Sequence, residues 1–197
     1  MNTLFHTISH RLDQRQLSDN LKGRGKLLGA EYVSLGISLV EVRRIVARIY
    51  SENKQTYQAD DIISVADTLL SSDVYEKKMA GIFLLGKYVS DEHVVRYQLL
   101  EDLIAKHVIE WSLCDAFATD VVTLSLKQDW EQGKETLAQW STSNNQWVRR
   151  AALVGAIKCK DVAEDWQAFA EKLITVFATE REPQVIKARK WLMREAQ

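Results

Sequence analysis

The sequence holds a single proline, Pro183, and eight glycines in 197 residues. So few breakers exclude collagen-like, proline-rich and loop-dominated chains, and leave long helices as the default reading. Two cysteines, Cys114 and Cys159, are too few for a disulfide framework or a thiolate metal centre, and neither belongs to a CxxC pair. That scarcity fits a reducing compartment, and a cytoplasmic protein is expected. No apolar run approaches the roughly 20 residues that span a bilayer, and charge interrupts MNTLFHTISHRLDQRQ early, so neither a span nor a signal segment is expected. An excess of one charge is missing too, since 26 Lys and Arg stand against 27 Asp and Glu, for a formal charge of -1. A polyanionic partner would have to be held by a local patch.

What is present is helical periodicity in a chain that is 46% hydrophobic and 27% charged. Ser38 with Glu41 forms a capping box before LVEVRRIVARIY, in which Leu39, Val42, Ile45, Val46 and Ile49 recur at spacings of three and four. The same pattern predicts helices over 60–70, 73–88 (with Asp73 and Glu76 as a second box), 93–107, 109–126, 131–140, 145–158, 164–178 and 183–195. Pro183 suits the first turn of the last. Consecutive pairs recur about every 35 to 40 residues, the period of stacked helical hairpins. The expected fold is all-α, a superhelical solenoid of helical repeats in one domain over 1–197, with a helical bundle as the alternative. Lys22-Gly23-Arg24-Gly25-Lys26 is a basic connector without phosphate-loop spacing.

Three segments are richer than a scaffold requires. Glu110-Trp111-Ser112-Leu113-Cys114-Asp115 places Trp111 and Asp115 one turn apart on one helix face. Asn145-Gln146-Trp147-Val148-Arg149-Arg150 opens a helix with two arginines, which oppose the positive end of the helix dipole unless an anion is near. In 187–194, Lys187, Trp191 and Arg194 share a stripe. Each segment also has a plain structural reading: tryptophans at helical spacing mostly pack between helices, and basic residues near a helix end mostly face water. His6 and His10, four apart, have no third ligand placed by the sequence, so no metal is expected. Cys114 has no neighbouring base to activate it and reads as a small buried hydrophobe. No G-x-S-x-G motif occurs.

The runs WSTSNNQWVRRAALVGAIKCK, YEKKMAGIFLLGKY and EYVSLGISLVEVRRIV, with WSLCD and the closing KWLMRE, together resemble the DNA alkylation repair (AlkD-like) family of alkylpurine DNA glycosylases. The resemblance runs from about residue 30 to the end of the sequence. It implies a superhelix of HEAT-like repeats, in agreement with the period, and a monomer that needs no cofactor. Asp115 looks like the family's catalytic carboxylate, Trp111 and Trp191 like its aromatic walls, and Arg150 and Arg194 like the arginines that grip the DNA backbone.

The implied function is hydrolysis of the N-glycosidic bond of cationic N3- or N7-alkylated purines in duplex DNA. The alternative is a non-catalytic module that binds damaged or branched DNA, or a protein scaffold. In this chain Glu110 and Ser112 flank Trp111, where the family often has a second tryptophan and an acidic residue. With overall charge balanced, DNA affinity is expected from clustered Lys22, Arg24, Lys26, Arg44, Arg149, Arg150, Lys187, Arg189, Lys190 and Arg194.

Overall fold

A computed structural model of the chain describes residues 3–15, 32–91, 93–161 and 163–197. The basic connector with Lys22, Arg24 and Lys26 lies outside these residues. The regular secondary structure of the described residues is helical, apart from one isolated parallel bridge between Val33 and Val74. None of their helices is long and apolar enough to cross a membrane. Contacts group the chain into two compact units, residues 1–93 and 94–197, although no shift in composition marks the boundary.

The first unit contains α1 (Thr3–Asp13), α2 (Leu39–Asn53), α3 (Ala59–Leu70) and α4 (Tyr75–Ser90). Ser38 caps α2 as its sequence predicts, its Oγ accepting from the Glu41 N–H. Helix α4 touches all three others and is buried on nearly every side, which its run MAGIFLLG allows. At Gly81 a Cβ would meet the Ala66 carbonyl oxygen at 3.0 Å, so glycine sets the close approach of α4 to α3.

The expected Asp73 and Glu76 box does not form. Val74 is the N-cap residue of α4, and Glu76, 2% exposed, accepts instead from Ser34 Oγ at 2.7 Å, Leu35 N at 3.0 Å and Gly36 N at 3.0 Å. A carboxylate so deeply buried takes the donors that come with it into the core. The segment that supplies them turns at Gly36, whose φ of 73° favours a residue without Cβ.

The second unit contains α5 (Tyr97–His107), α6 (Trp111–Phe117), a π-helical turn (Ala118–Val122), α7 (Thr123–Gln128), α8 (Trp130–Trp140), α9 (Gln146–Ile157), α10 (Trp166–Val176), a 3-10 turn (Phe177–Thr179) and α11 (Pro183–Glu195). The helix expected over 109–126 is therefore interrupted by one wide turn, in which Thr123 Oγ1 donates to the Ala118 carbonyl at 2.9 Å. Such turns commonly neighbour functional sites.

Helix α9 is the hub of this unit and packs against α5, α6, the π turn, α8 and α11. Its VRRAALVGAI sequence explains why: Val148, Leu153 and Val154 bury fully, each worth about 1.5 to 3 kcal/mol, while the alanines and Gly155 thin the helix. A Cβ on Gly155 would stand 3.2 Å from Val122 Cγ1 of the π turn. The hub is thereby seated against the helix that carries Trp111 and Asp115.

Candidate functional site

Helix α6 begins at Trp111 because Glu110 caps it. The Glu110 carboxylate, on a residue 3% exposed, accepts from Ser112 N at 2.6 Å, Ser112 Oγ at 2.8 Å and Leu113 N at 2.7 Å. Two orphan N–H groups of the first turn are satisfied, and a negative charge lies at the positive end of the helix. Trp111, first in the helix, is 42% exposed, and Asp115 follows one turn later with its side chain 22% exposed. Between them Cys114 is fully buried, with Sγ donating to the Trp147 carbonyl at 3.3 Å. Burial, and then the neighbouring Asp115 charge, push its thiol pKa well above the ordinary value, so Cys114 is a packing residue and not a nucleophile.

Asn145 caps α9, its Oδ1 accepting from Trp147 N at 2.8 Å and Val148 N at 3.3 Å, and its Nδ2 reaches the Ala105 carbonyl at 3.4 Å. This fixes the start of the hub helix and with it Arg149 and Arg150. Arg150, 5% exposed, donates from Nε to Asp115 Oδ1 and from Nη2 to Asp115 Oδ2, both at 2.8 Å, and from Nη1 to the Gln184 carbonyl. The fork of a guanidinium matches a carboxylate and fixes its plane as well as its position.

Arg149 likewise grips Glu180, from Nε at 2.7 Å and Nη2 at 3.2 Å, and donates from Nη1 to the Ser143 carbonyl at 2.8 Å. Burial pushes the Glu180 pKa up, but Arg149 and the N–H groups of Glu182 and Arg181 more than reverse this and hold it below the usual range. The two arginines at the start of α9 therefore do have anions beside them, and both anions are the protein's own carboxylates. The inference of an external anion is corrected on this point, and Arg150, expected on a DNA backbone, has its guanidinium engaged inside the protein.

Trp191 lies farther along the same hub. Its Nε1 donates to Glu195 Oε1 at 3.2 Å, and the Lys158 ammonium stands over its ring at 5.1 Å from the centroid. Helix α11 meets α9 at Gln184 beside Arg150 and again at Trp191 beside Lys158, so the two helices run in the same direction. At the helical rise, the eight residues from Arg150 to Lys158 separate these contacts by about 12 Å. The structure thus brings Asp115 and Arg150 together, with Trp111 one turn away on the helix of Asp115, and places Trp191 about two turns down α9.

The remaining candidates are less engaged with this group. Lys187, Lys190 and Arg194 are exposed on α11, Arg194 donating to the Lys190 carbonyl at 3.2 Å, and Arg189 is half-buried. Arg44 belongs to the first unit and pairs with Glu41 on its own helix. His10 bonds Gln14 at 2.9 Å, and no cluster of three metal-ligating side chains occurs among the described residues. Sequence reasoning missed Glu110 as a cap, because caps are usually Ser, Thr, Asp or Asn. It also missed Glu180 and Lys158, which no local spacing joins to Arg149 or Trp191.

A family model described as DNA alkylation repair enzyme matches residues 8–197. Among solved structures, the chain resembles that of smu.31 from Streptococcus mutans UA159, with a TM-score of 0.58 and 18% identity over 79% of this chain and 83% of that one. At that identity the likeness speaks for the all-α helical-repeat fold alone. The search of curated proteins returns no match.

Proposed function

This chain belongs to the DNA alkylation repair enzyme family, and from that premise we propose that it is a glycosylase that removes cationic N3- or N7-alkylated purines from duplex DNA. The observation that carries the reading is Asp115, a carboxylate fixed by both forks of Arg150 yet still open to solvent beside an exposed indole. Alkylation at N3 or N7 leaves the purine positively charged. When the C1′–N bond breaks, its electron pair returns to the base, which departs neutral and needs no acid.

Positive charge then develops on the deoxyribose. A carboxylate held beside C1′ stabilises that oxocarbenium character and can orient the water that adds to C1′, the water's proton passing to solvent. Asp115 is the group of this kind in the site. The face of Trp111 attracts a cationic base by roughly 0.5 to 2 kcal/mol, which separates a lesion from a normal purine by charge. Lys187, Lys190 and Arg194, exposed along α11, supply phosphate contacts.

The test is release of free base from duplex DNA bearing N7-methylguanine, by wild type and by Asp115→Asn. Asparagine keeps the shape and removes the charge. Release by wild type with a loss of about a hundredfold or more in the variant, the scale on which removing one electrostatic group acts, supports the reading. Release no faster than the spontaneous reaction, with DNA binding intact, would assign the chain to non-catalytic binders of damaged DNA.

A further inference from the structure

The family resemblance pairs Trp191 with Trp111 as a second aromatic wall, but the two indoles differ in what surrounds them. Lys158 is the C-cap residue of α9, where the negative end of the helix favours an ammonium, and its Nζ lies 5.1 Å from the Trp191 ring centroid. That is within the distance at which an ammonium draws on the negative face of an indole. The edge of the same ring is held by Glu195, through Nε1 at 3.2 Å, and Glu195 also faces Lys160 Nζ at 3.5 Å. The carboxylate that could balance an added cation at Trp191 is thus already shared between the indole N–H and a second ammonium. Trp111 has Asp115 one turn away instead, a carboxylate that Arg150 holds from one side and that keeps 22% of its side chain exposed.

We propose that Lys158 is a specificity-determining residue that occupies the cation position of Trp191, so that this indole takes uncharged or anionic parts of the DNA while the cationic base is left to Trp111. The proposal rests on the glycosylase reading, because it divides the lesion site into a cation side at Trp111 and Asp115 and a backbone side at Trp191. A cationic purine brought over the Lys158 face must displace the ammonium and meet its repulsion. A sugar or phosphodiester group meets neither obstacle.

The first arm compares binding of a duplex carrying one N7-methylguanine with binding of the same duplex unmodified, for wild type, Lys158→Met, Trp191→Ala and the double variant. Methionine keeps an unbranched apolar stem and removes the charge. Lys158→Met is expected to raise the preference for the methylated duplex about two- to fivefold, the span of an exposed cation-π contact expressed as a ratio. Trp191→Ala should leave the preference of wild type unchanged and abolish the gain in the double variant. A preference unaltered by Lys158→Met, or an equal loss of affinity for both duplexes, would overturn the proposal.

The second arm does not depend on excision. The indole N–H resonance of Trp191, assigned with Trp191→Phe, is followed while free 7-methylguanosine is added at mildly acidic pH, with guanosine as the uncharged control. The cationic nucleoside should shift the resonance more in Lys158→Met than in wild type, and guanosine should not distinguish the two proteins. Equal responses, or none in either protein, would refute a competition at this ring. Absence of base release by wild type would sink the glycosylase reading and leave this titration able to decide for or against Lys158.

Discussion

Substituting Arg150 separates the two tasks open to it, gripping DNA phosphates or holding Asp115. In the structure its Nε and Nη2 both bond Asp115 at 2.8 Å, its Nη1 bonds the Gln184 carbonyl, and the residue is 5% exposed. Arg150→Met would remove two donors from the carboxylate and one from that carbonyl, which keeps its place in the α11 ladder. Breaking a fully buried pair costs about 3 to 5 kcal/mol. Asp115 keeps 22% of its side chain exposed, so water recovers part of this, and about 2 to 3 kcal/mol is the expected loss in chemical denaturation. Combining Arg150→Met with Asp115→Asn should cost less than the sum of the single changes by about 1 to 3 kcal/mol, since both remove one interaction. DNA binding supplies the decisive readout. A positioning residue lowers the single-turnover rate of base release and leaves the salt dependence of binding alone, whereas a phosphate contact takes about one unit from the slope of log K against log salt. Additive stabilities together with a reduced salt slope would refute the assignment of Arg150 to Asp115.

Trp111→Ala should cost less than about 1.5 kcal/mol of stability, because the side chain is 42% exposed, yet reduce release of N7-methylguanine; circular dichroism and base release together check this. Glu110→Ala should lower stability by about 1 to 2 kcal/mol, the cost of a lost cap, and reduce base release with it, while Glu110→Asp should restore part of both if the cap is what matters. Glu180 predicts a pH dependence. Its folded pKa is depressed below the unfolded value, so its contribution is complete above an ordinary glutamate pKa of about 4.3 and disappears as pH falls through the folded value. The stability gap between wild type and Glu180→Gln should therefore be constant near neutrality and close in acid, as followed by thermal melts; a gap that widens in acid contradicts the pairing.

Helix positions were legible because the periodicity that marks them is local. The predicted start and end of the last helix, Pro183 and Glu195, coincide with α11, and Ser38 caps α2 through the expected bond. The π turn was not legible, since the apolar spacing through Ala118–Val122 continues as in an ordinary helix and what distinguishes it is the bonding of Thr123 to the Ala118 carbonyl five residues back. The second capping box failed for a related reason. Asp73 and Glu76 have the right types at the right spacing, but Ser34, Leu35 and Gly36, some forty positions earlier, offer the carboxylate more donors than the local N–H could. Local grammar cannot weigh a competitor that the fold brings from a distance.

The same limit shaped the reading of the site. Two arginines in the first turns of α9 looked like half of an anion-binding patch, and a chain of near-zero charge had to concentrate such patches to hold DNA. Asp115 and Glu180 instead satisfy both arginines, the first from 35 positions earlier and the second from 31 later. On α9 and α11 the exposed cations are Lys187, Lys190 and Arg194 along α11 and Lys158 at the end of α9. On the proposed function the geometry divides two electrostatic duties that the sequence runs together: arginines at the start of the hub fix carboxylates, Asp115 among them, and the exposed cations along α11 are left for the backbone. On the proposed function such a surface does not require a basic chain, because the group set beside the cationic sugar is a carboxylate, Asp115, held in place by Arg150.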